Sequence, residues 1–450
     1  MRKNSKYSSR ILPEKLDFDF YSYLLGRWLG DGIKGEGSFC IARGNFGYEI
    51  DSMELIANRL GVNFLHDSEG YSTLFYDCYD IQKHFRSILD KLNQGDFDIR
   101  VNDFAFIAGF LDSDGCVEMD NPSTKVGKLE SYAISLSFYN NNLNFLNFIK
   151  QRLLKYNIPS TLQLADRLRT PLDKCNILII YSRLGNYFIG SRILDYSLHK
   201  LKREKIQKYI DTMDTYYNKS SIYISEIFRS IEGEGRELGF VKTFIRVSGC
   251  PHHCSFCDSE YARIAKEKDR VLIKDVIERV IELGTDRIEF TGGSPDQYPR
   301  VVGYLLIYFK THYNSKITMQ VSGGIKTIKS KNLFILSDLN AFDFKDSREN
   351  IPFVIPKELV RERDEIKFLI RDEFSYNFTK NKIKELQELG ISCVFIIIAQ
   401  TFESEDIVTD HIEKTRSLVF RILSDSDFPT NNIKIIPRLQ VLIWGSKRGV

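Results

Sequence analysis

Apolar and polar positions alternate in two distinct ways along the chain. From Ile222 onward, short apolar runs are separated by segments of helical period, which predicts parallel strands joined by crossover helices. The predicted strands are 243–247, 287–290, 316–321, 341–345, 365–370, 393–399 and 433–436. The predicted helices include 271–283, 379–389 and 404–423. This part is therefore expected to be an α/β domain with its chemistry at the carboxyl ends of the strands.

The N-terminal part contains two stretches that resemble each other, 24–32 and 107–115. Each begins as an apolar helix and ends in Asp-Gly, and 83 residues separate Asp31 from Asp114. Strand-like and helical segments follow each stretch in a similar order, which indicates a duplicated supersecondary unit. In the first copy these are strands 37–44 and 71–79 with helices 52–60 and 81–92; in the second they are strands 132–138 and 175–181 with helix 143–154.

Glycines in the two repeated helices favour a close approach between them. Gly26, Gly30 and Gly109 have no side chain, so the helices can pack closely and bring Asp31 and Asp114 side by side. Paired carboxylates bind divalent cations through oxygen, and such sites suit phosphodiester cleavage. The alternative is that both Asp-Gly pairs are simply turns that end a helix.

Length and composition limit the class of protein. A chain of 450 residues with 43% hydrophobic and 27% charged residues is expected to be a globular protein of two or three domains. There is no apolar run of membrane-spanning length and no apolar signal at the start, so we expect a cytoplasmic protein without a membrane partner. The eight cysteines are too sparse for a disulfide framework.

Charge is unevenly distributed although the net charge is only +3. Residues 150–208 carry thirteen Lys or Arg against four Asp or Glu, whereas residues 51–149 carry seven against fifteen. The basic block suits contact with nucleic acid, and a solvated helical face is the alternative.

Three cysteines stand close together in one loop, directly after the predicted strand 243–247. The spacing of Cys250, Cys254 and Cys257 suits three irons of a 4Fe-4S cube and leaves the fourth iron open. A zinc site is the alternative, with His252 or His253 as fourth ligand. A second loop, Thr291-Gly292-Gly293-Ser294-Pro295, follows the strand 287–290, and its glycines permit close approach of a ligand.

The two Asp-Gly motifs resemble those of the LAGLIDADG homing endonucleases in their single-chain form. The resemblance implies that residues 1–218 form a duplicated αββαββα domain, with copies at about 20–100 and 101–200 followed by a linker. It implies β-ribbons in the major groove of double-stranded DNA and Asp31 and Asp114 as the catalytic, Mg²⁺-binding pair. The first motif departs from the family at Leu29 and Gly30. Basic residues predicted to lie on these ribbons and to contact phosphates are Arg43, Arg167, Arg169, Lys174 and Arg183.

Many LAGLIDADG domains lie within inteins, but the splicing residues are missing. Met1 begins the sequence, and Asn218 lacks the His-Asn context that splicing needs. The helical run 198–209 and the polar residues 218–221 indicate a linker instead.

Residues 222–450 resemble the 7-carboxy-7-deazaguanine synthases of the radical S-adenosylmethionine (SAM) superfamily. The resemblance rests on the cysteine loop, the Thr-Gly-Gly-Ser-Pro loop, Ile231-Glu232-Gly233-Glu234-Gly235 and the terminal 442–450 segment. It implies a partial (β/α) barrel, a homodimer, and an electron donor such as flavodoxin or ferredoxin. It also implies a 4Fe-4S cluster, SAM and Mg²⁺ as cofactors, and conversion of 6-carboxy-5,6,7,8-tetrahydropterin to 7-carboxy-7-deazaguanine.

The same resemblance implies roles for individual residues. The cluster ligands are Cys250, Cys254 and Cys257, and Ser259 reaches Mg²⁺. The SAM side is formed by Phe256, Asp258, Gly293, Ser322 and Lys345. Substrate contacts are Ile231, Glu232, Gly233, Arg246, Thr291 and the chain end Val450. Two positions depart from the family: Glu232 replaces the common Gln, and Ser294 replaces an acidic residue.

Three alternatives accompany this interpretation. The C-terminal part could be an activase or another radical SAM synthase. The chain could act chiefly as a homing endonuclease or DNA-binding protein with a degenerate radical SAM domain. The endonuclease could also be a mobile element inserted in frame, with no mechanism in common with the synthase.

Overall fold

The computed structural model describes twelve ranges of the chain, and they divide between two compact units. The ranges are 16–32, 40–44, 47–62, 64–66, 72–75, 79–119, 134–166, 174–284, 286–322, 333–349, 360–401 and 406–447. The units are Met1–Thr215 and Tyr216–Val450. Within these ranges, no helix combines the length and the apolar character needed to cross a bilayer.

The N-terminal unit contains two successive copies of a similar element order. The first comprises α1 (Phe18–Asp31), β1 (Cys40–Gly44), α2 (Gly47–Leu60), β2 (Phe64–His66), β3 (Ser72–Phe75) and α3 (Tyr79–Asn93). The second comprises α4 (Asp103–Asp114), β4 (Gly115–Met119), β5 (Ile134–Asn140), α5 (Leu143–Lys155), β6 (Thr161–Asp166), β7 (Lys174–Ile180) and α6 (Arg183–Ile193). The predicted αββαββα order is therefore complete in the second copy.

Each copy forms its own antiparallel sheet. In the described residues the strand orders are β1-β3-β2 and β4-β5-β7-β6. The sequence predicted the strands that became β1, β3, β5 and β7 but not the short β2, β4 and β6. Part of the predicted strand 37–44 lies outside the described residues.

The two motif helices begin and end in the same way. The side chain of Asp17 accepts a hydrogen bond from the amide of Phe20, and that of Asn102 accepts from the amides of Phe104 and Ala105. These N-caps satisfy amides that have no partner within the helix. At the other end, Asp31 and Asp114 are the last residues before the two motif glycines. The helices differ in length, 14 and 12 residues, so Asp31 and Asp114 correspond by their place at the helix end and not by their distance from the N-cap.

One helix leads from the first unit into the second. Helix α7 (Lys200–Asn218) passes the division between Thr215 and Tyr216, and strand β8 begins at Ser221. The ammonium group of Lys202 donates to the carbonyl oxygens of Leu111 and Asp112 at 2.7 and 3.1 Å, so the start of α7 is fixed to the end of α4.

The C-terminal unit is built on one large sheet. Its strands are β8 (Ser221–Ile231), β9 (Val241–Val247), β10 (Arg270–Leu272), β11 (Arg287–Gly292), β12 (Lys316–Ser322), β13 (Leu339–Phe344), β14 (Glu365–Ile370), β15 (Val394–Ala399) and β16 (Ile433–Ile435). Its helices are α8 (Ile273–Leu283), α9 (Pro299–Tyr313), α10 (Glu373–Glu388), α11 (Ile407–Ser424) and α12 (Leu439–Trp444). In the described residues the strand order is β10-β8-β9-β11-β12-β13-β14-β15-β16.

The strands from β9 to β16 that neighbour one another are parallel, as predicted from the alternation of apolar runs and helices. Strands β8 and β10 add an antiparallel edge that the sequence did not predict. The predicted helix 271–283 begins at Ile273 instead, because Arg270–Leu272 pair with β8. Helix α10 begins earlier than predicted, at Glu373, because Asp372 caps it through Ser375.

Candidate functional site

The cysteine loop and the Gly-Gly loop pack against each other at the carboxyl ends of β9 and β11. Gly249 has a positive φ of 104°, which favours glycine, and its carbonyl accepts a hydrogen bond from the amide of Ser294 at 2.9 Å. A Cβ on Gly293 would overlap the backbone of Gly249. Glycine at position 293 therefore brings the two predicted ligand loops into backbone contact.

The three loop cysteines lie close enough to influence one another's ionisation. All three are free thiols. Burial raises the pKa of Cys254 to about 11, Lys345 opposes that rise, and the neighbouring charges of Cys257 and Cys250 add to it. Among the described residues, no three His, Cys, Asp or Glu side chains form a ready-made metal site.

Cations surround the loop in a way that fits an anionic cluster. The ammonium of Lys345 lies 5.4 Å from the ring centroid of Phe256, and the guanidinium of Arg371 lies 4.2 Å from it. The loop is also anchored by Glu349, because Ser255 donates hydrogen bonds to it from its amide and its hydroxyl at 2.9 and 2.8 Å. A cluster ligated by thiolates carries negative charge, so the donor set and its surroundings suit such a group.

Arg246 and Ser259, which the sequence assigned to substrate and Mg²⁺, are in direct contact. Nη1 of Arg246 donates to the hydroxyl of Ser259 at 2.9 Å, and that hydroxyl donates to Oδ1 of Asp258 at 3.0 Å. Nε of Arg246 also lies 3.5 Å from a carboxylate oxygen of Glu226. The last part of the cysteine loop is thereby tied to the inward-facing side of β9.

A charge cluster is formed by residues of β9, β11 and the segment between β8 and β9. Nζ of Lys242 is 2.6 Å from Glu232, 2.8 Å from Glu289 and 3.1 Å from Glu237. Glu237 is also paired with Arg287. Burial, together with the charge of Glu289, raises the pKa of Glu232. Lys242 opposes this rise, so one buried cation faces three carboxylates.

A second charged group joins the loop after β8 to the segment that follows β16. Oε1 of Glu234 accepts from Nε of Arg438 and from Nε2 of Gln440, both at 2.9 Å, and Lys367 lies 3.7 Å from its other oxygen. The other end of the Arg438 guanidinium pairs with Asp258. Burial would raise the pKa of Glu234, but Arg438 and Lys367 lower it to about 2.

A chain of polar side chains crosses the carboxyl ends of three strands. Thr291 donates to Gln320 at 3.1 Å, Gln320 donates to Asp343 at 3.3 Å, and Asp343 lies 3.7 Å from Lys345. Two of these residues, Thr291 and Lys345, were predicted as site residues. The row connects the predicted substrate side with the predicted SAM side.

In the N-terminal unit, the motif helices α1 and α4 approach to backbone contact, as their glycines predicted. A Cβ on Gly26 would collide with the carbonyl of Phe106, and a Cβ on Gly109 would collide with that of Tyr23. A Cβ on Gly30 would overlap the side chain of Ser113 and lie 3.2 Å from the amide nitrogen of Asp114. The ends of the two helices, which carry Asp31 and Asp114, therefore meet.

The two acidic residues have different neighbours. Asp31 lies 3.3 Å from the buried guanidinium of Arg27, whereas Asp114 accepts a hydrogen bond from Nδ2 of Asn140 at 2.6 Å. The preceding acidic residue of the second motif, Asp112, is not free for chemistry, because it accepts from the hydroxyl of Ser197 and the amide of Leu198. Asp31 and Asp114 thus each contact a residue of their own copy.

Family models match both parts of the chain. The model of the radical SAM superfamily matches residues 244–415, and the model of a LAGLIDADG-like domain matches residues 102–185. The chain fuses a LAGLIDADG-like domain to a radical SAM domain. The second Asp-Gly motif lies within the matched LAGLIDADG range, and the first lies before it.

Similar proteins are known for both domains. The 7-carboxy-7-deazaguanine synthase of Rhodopirellula baltica is 29% identical over 249 residues, which cover 52% of this chain and 91% of that protein. The crystal structure of QueE from Escherichia coli is 17% identical with a TM-score of 0.36, covering 50% of this chain and 98% of that one. Variants of the homing endonuclease I-DmoI are 18% identical with a TM-score of 0.27, covering 40% of this chain and 97% of theirs.

Several predicted residues of the two domains have no described side chain. Val450, Arg167 and Arg169 lie outside the described residues, as do the side chains of Ser322, Arg43 and Lys174. Ile231 is the last residue of β8, and Gly233 lies against the side chain of Gln440. Arg183 does not lie on a β-ribbon as predicted, because it is the first residue of helix α6.

The charged residues of the radical SAM interior were missed by sequence reasoning. They are Glu234, Glu237, Lys242, Glu289, Lys367 and Arg438. One signal was present: a lysine or glutamate within an otherwise apolar strand, such as Lys242 in β9 and Glu289 in β11, requires a buried partner. The identity of the partner was not accessible, because each pair joins different strands.

Proposed function

We propose that the radical SAM domain is a 7-carboxy-7-deazaguanine synthase that acts on 6-carboxy-5,6,7,8-tetrahydropterin. The observation that carries the proposal is the contact between Arg246 and Ser259, since it joins the cysteine loop to the charged sheet interior. A small heterocycle with many donors and acceptors suits an interior lined by paired charges. Relatives matched over nearly their full length bear the same name.

The residues of the site would have separate roles in binding the cofactors and the substrate. Cys250, Cys254 and Cys257 hold the 4Fe-4S cluster, with Lys345 and Arg371 beside the loop to balance its charge. When bound and reduced by an electron donor, the cluster and SAM supply the radical that removes hydrogen from the substrate. Arg246 would bind the pterin carboxylate through its planar fork. Ser259 would contribute one oxygen to a Mg²⁺ shell completed by substrate and water.

The test uses the full chain, purified without oxygen and reconstituted with iron and sulfide. Reductant, SAM and 6-carboxytetrahydropterin are added, and 7-carboxy-7-deazaguanine is measured by mass spectrometry. Cys254→Ala should abolish the product, whereas Cys175→Ala, a cysteine on β7 in the other unit, should leave it unchanged. Formation of 5′-deoxyadenosine without deazaguanine would mean a different substrate, and formation of neither would mean an inactive domain.

We further propose that the LAGLIDADG-like domain binds double-stranded DNA and cleaves it with Mg²⁺ held by Asp31 and Asp114. The specific observation in favour is the glycine contact that brings the ends of α1 and α4 together. Two carboxylates at one site can hold the metal ions used for phosphodiester cleavage.

Cleavage can be tested without a known target by incubating the full chain and Mg²⁺ with a library of random duplexes. Sequencing of cut ends should give one recurring site. Asp114→Asn should eliminate cutting while retaining DNA binding, and Asp211→Asn, an exposed residue of α7, should have no effect. A library left intact by the unmodified chain would exclude the endonuclease activity.

A further inference from the structure

The segment that follows β16 returns to the loop after β8 and is fixed to it. The amide of Leu439 donates to the carbonyl of Gly233 at 2.9 Å, and Gln440 donates to Glu234 at 2.9 Å. A Cβ on Gly233 would overlap the side chain of Gln440, so glycine leaves the space that Gln440 occupies. Two backbone segments about 200 residues apart in sequence are therefore in close contact.

Within this segment, the side chain of Arg438 contacts both Glu234 and Asp258. Nε donates to Glu234 at 2.9 Å, and Nη2 pairs with Asp258, which directly follows the third loop cysteine. The side chain is 11% exposed. Burial disfavours its charge, but the two carboxylates more than compensate and raise the pKa of Arg438. One guanidinium thus links the position of Glu234 to that of Asp258.

A buried histidine, His411, holds the backbone of Arg438 in place. Nε2 of His411 accepts a hydrogen bond from the backbone amide of Arg438 at 2.7 Å, and Nδ1 is 2.6 Å from the hydroxyl of Thr401. Because Nε2 accepts, the proton of the neutral ring lies on Nδ1 and is donated to Thr401. His411 has no exposed surface. The backbone of Arg438 is therefore held in place by a buried side chain that is hydrogen-bonded at both ring nitrogens.

We propose that Arg438 is a positioning residue that makes the SAM side of the site depend on occupancy of the substrate side, with His411 holding Arg438 in place. The inference rests on the proposed synthase function. Glu234 follows Glu232 and Gly233, both predicted to contact substrate, and Asp258 lies on the predicted SAM side. A substrate that orders the loop at Glu234 also orders Asp258 through the shared guanidinium. Only arginine offers two separate N–H groups in a rigid fork, so lysine cannot span both carboxylates.

The kinetic test compares Arg438→Lys with the unmodified full chain after reconstitution. The variant should raise the KM for 6-carboxytetrahydropterin about tenfold and release several times more 5′-deoxyadenosine per deazaguanine formed, because SAM use is no longer tied to substrate. Iron content and the electron paramagnetic resonance spectrum of the reduced cluster should not change. Arg421→Lys is the matched control, since Arg421 forms a surface ion pair with Glu373.

Hydrogen exchange tests the bridge independently of activity, in the full chain without SAM or substrate. Arg438→Gln should speed exchange in both 232–236 and 255–259 and leave the N-terminal unit unchanged. His411→Leu should have the same effect, whereas His411→Gln, which keeps an acceptor for the amide of Arg438, should stay close to the unmodified chain.

The outcomes separate the inference from the function on which it rests. An unchanged KM and unchanged product ratio in Arg438→Lys would overturn the positioning role, as would faster exchange in only one of the two segments. If the unmodified chain makes no deazaguanine but both segments respond together, the bridge stands and the synthase assignment fails.

Discussion

Lys242 stands at the centre of a charge cluster that has almost no access to water. Its ammonium group faces Glu232, Glu237 and Glu289, and its side chain is 1% exposed. Removing one member of such a cluster leaves the others buried without compensation, which costs more than the intact cluster contributes. The lysine therefore matters for folding as well as for the shape of the interior.

Lys242→Met should lower the free energy of unfolding of the C-terminal unit by about 3–5 kcal/mol, because Glu289 loses its cation. Denaturant unfolding followed by circular dichroism measures the loss. The double variant Lys242→Met/Glu289→Gln should regain more than half of it, since no uncompensated charge remains at that pair. A double variant as unstable as the single one would show that packing, and not charge, is the cause.

His199 gives the N-terminal unit a pH-dependent stability. Burial and the nearby Lys202 lower its pKa from 6.5 to about 4. Because the folded-state value lies below the unfolded one, the stabilisation is complete above pH 6.5 and is lost as the pH falls toward 4. A shift of this size corresponds to a loss on the order of 3 kcal/mol.

The loss can be measured by comparing unfolding at pH 7.5 and pH 4.5 in the unmodified chain and in His199→Asn. Asparagine keeps a side-chain acceptor before helix α7 but does not titrate, so the variant should lose less stability on acidification. Trp28 and Trp444 are the two tryptophans of the chain, and Trp444→Phe leaves Trp28 to report on the N-terminal unit. Equal pH dependence in both proteins would contradict the assignment to His199.

At the residue scale, the sequence was informative where chemistry restricts the residue type. Asp31, Asp114 and the three loop cysteines could be predicted as site residues because only carboxylates or thiolates at that spacing serve such sites. Arg438 and Glu234 could not, because their pairing depends on a contact across about 200 residues. A pair of opposite charges is too common in a sequence to reveal which partners meet.

At the scale of elements, the contact between α1 and α4 depends on glycine. Gly109→Ala places a methyl group into the carbonyl of Tyr23, so the helices must separate and the N-terminal unit should lose about 3 kcal/mol. Gly190→Ala is the control, because it also lies within a helix but meets a single side-chain atom of Ile206, at 3.0 Å, and no backbone atom. Thermal unfolding should show a large loss for the first variant and little change, or a small gain from helix propensity, for the second.

The sequence predicted helices and strands well where one hydrophobic period persists over the whole element. The parallel strands of the C-terminal unit and helices α5 and α11 have long, clear apolar patterns. Strand β8 was missed, although it spans 11 residues, because its pairing with β9 is irregular between Ile224 and Glu226 and its two faces are unequally buried. Strand β2 spans three residues, too few for a period to emerge, and in β6 the apolar Leu164 is exposed, so the alternation marks no buried face.

At the scale of the whole molecule, the chain consists of two units that carry separate site residues. Length and the change of pattern near residue 220 were enough to predict two domains, because each period belongs to a different architecture. The way in which their activities relate was not accessible, since no motif lies across the division at Thr215 and Tyr216.

Separate sites predict separable activities in the full chain. Asp114→Asn should abolish DNA cleavage and leave deazaguanine formation within twofold of the unmodified rate, because Asp114 and its hydrogen-bond partner Asn140 both belong to the N-terminal unit. Cys254→Ala should do the reverse. Both reactions are measured on the same preparations, and loss of both activities in either variant would show that the two units depend on each other.

The contact between Gly30 and Ser113 also bears on the ancestry of the duplicated half. In a symmetric pair of identical copies, both sides would carry the same residue: two glycines would leave a gap, and two serines would collide. Here Gly30 of the first copy leaves space, and the side chain of Ser113 of the second copy occupies it. The two copies have therefore diverged into complementary halves. Replacing one copy by a duplicate of the other would require the contact between α1 and α4 to be repacked.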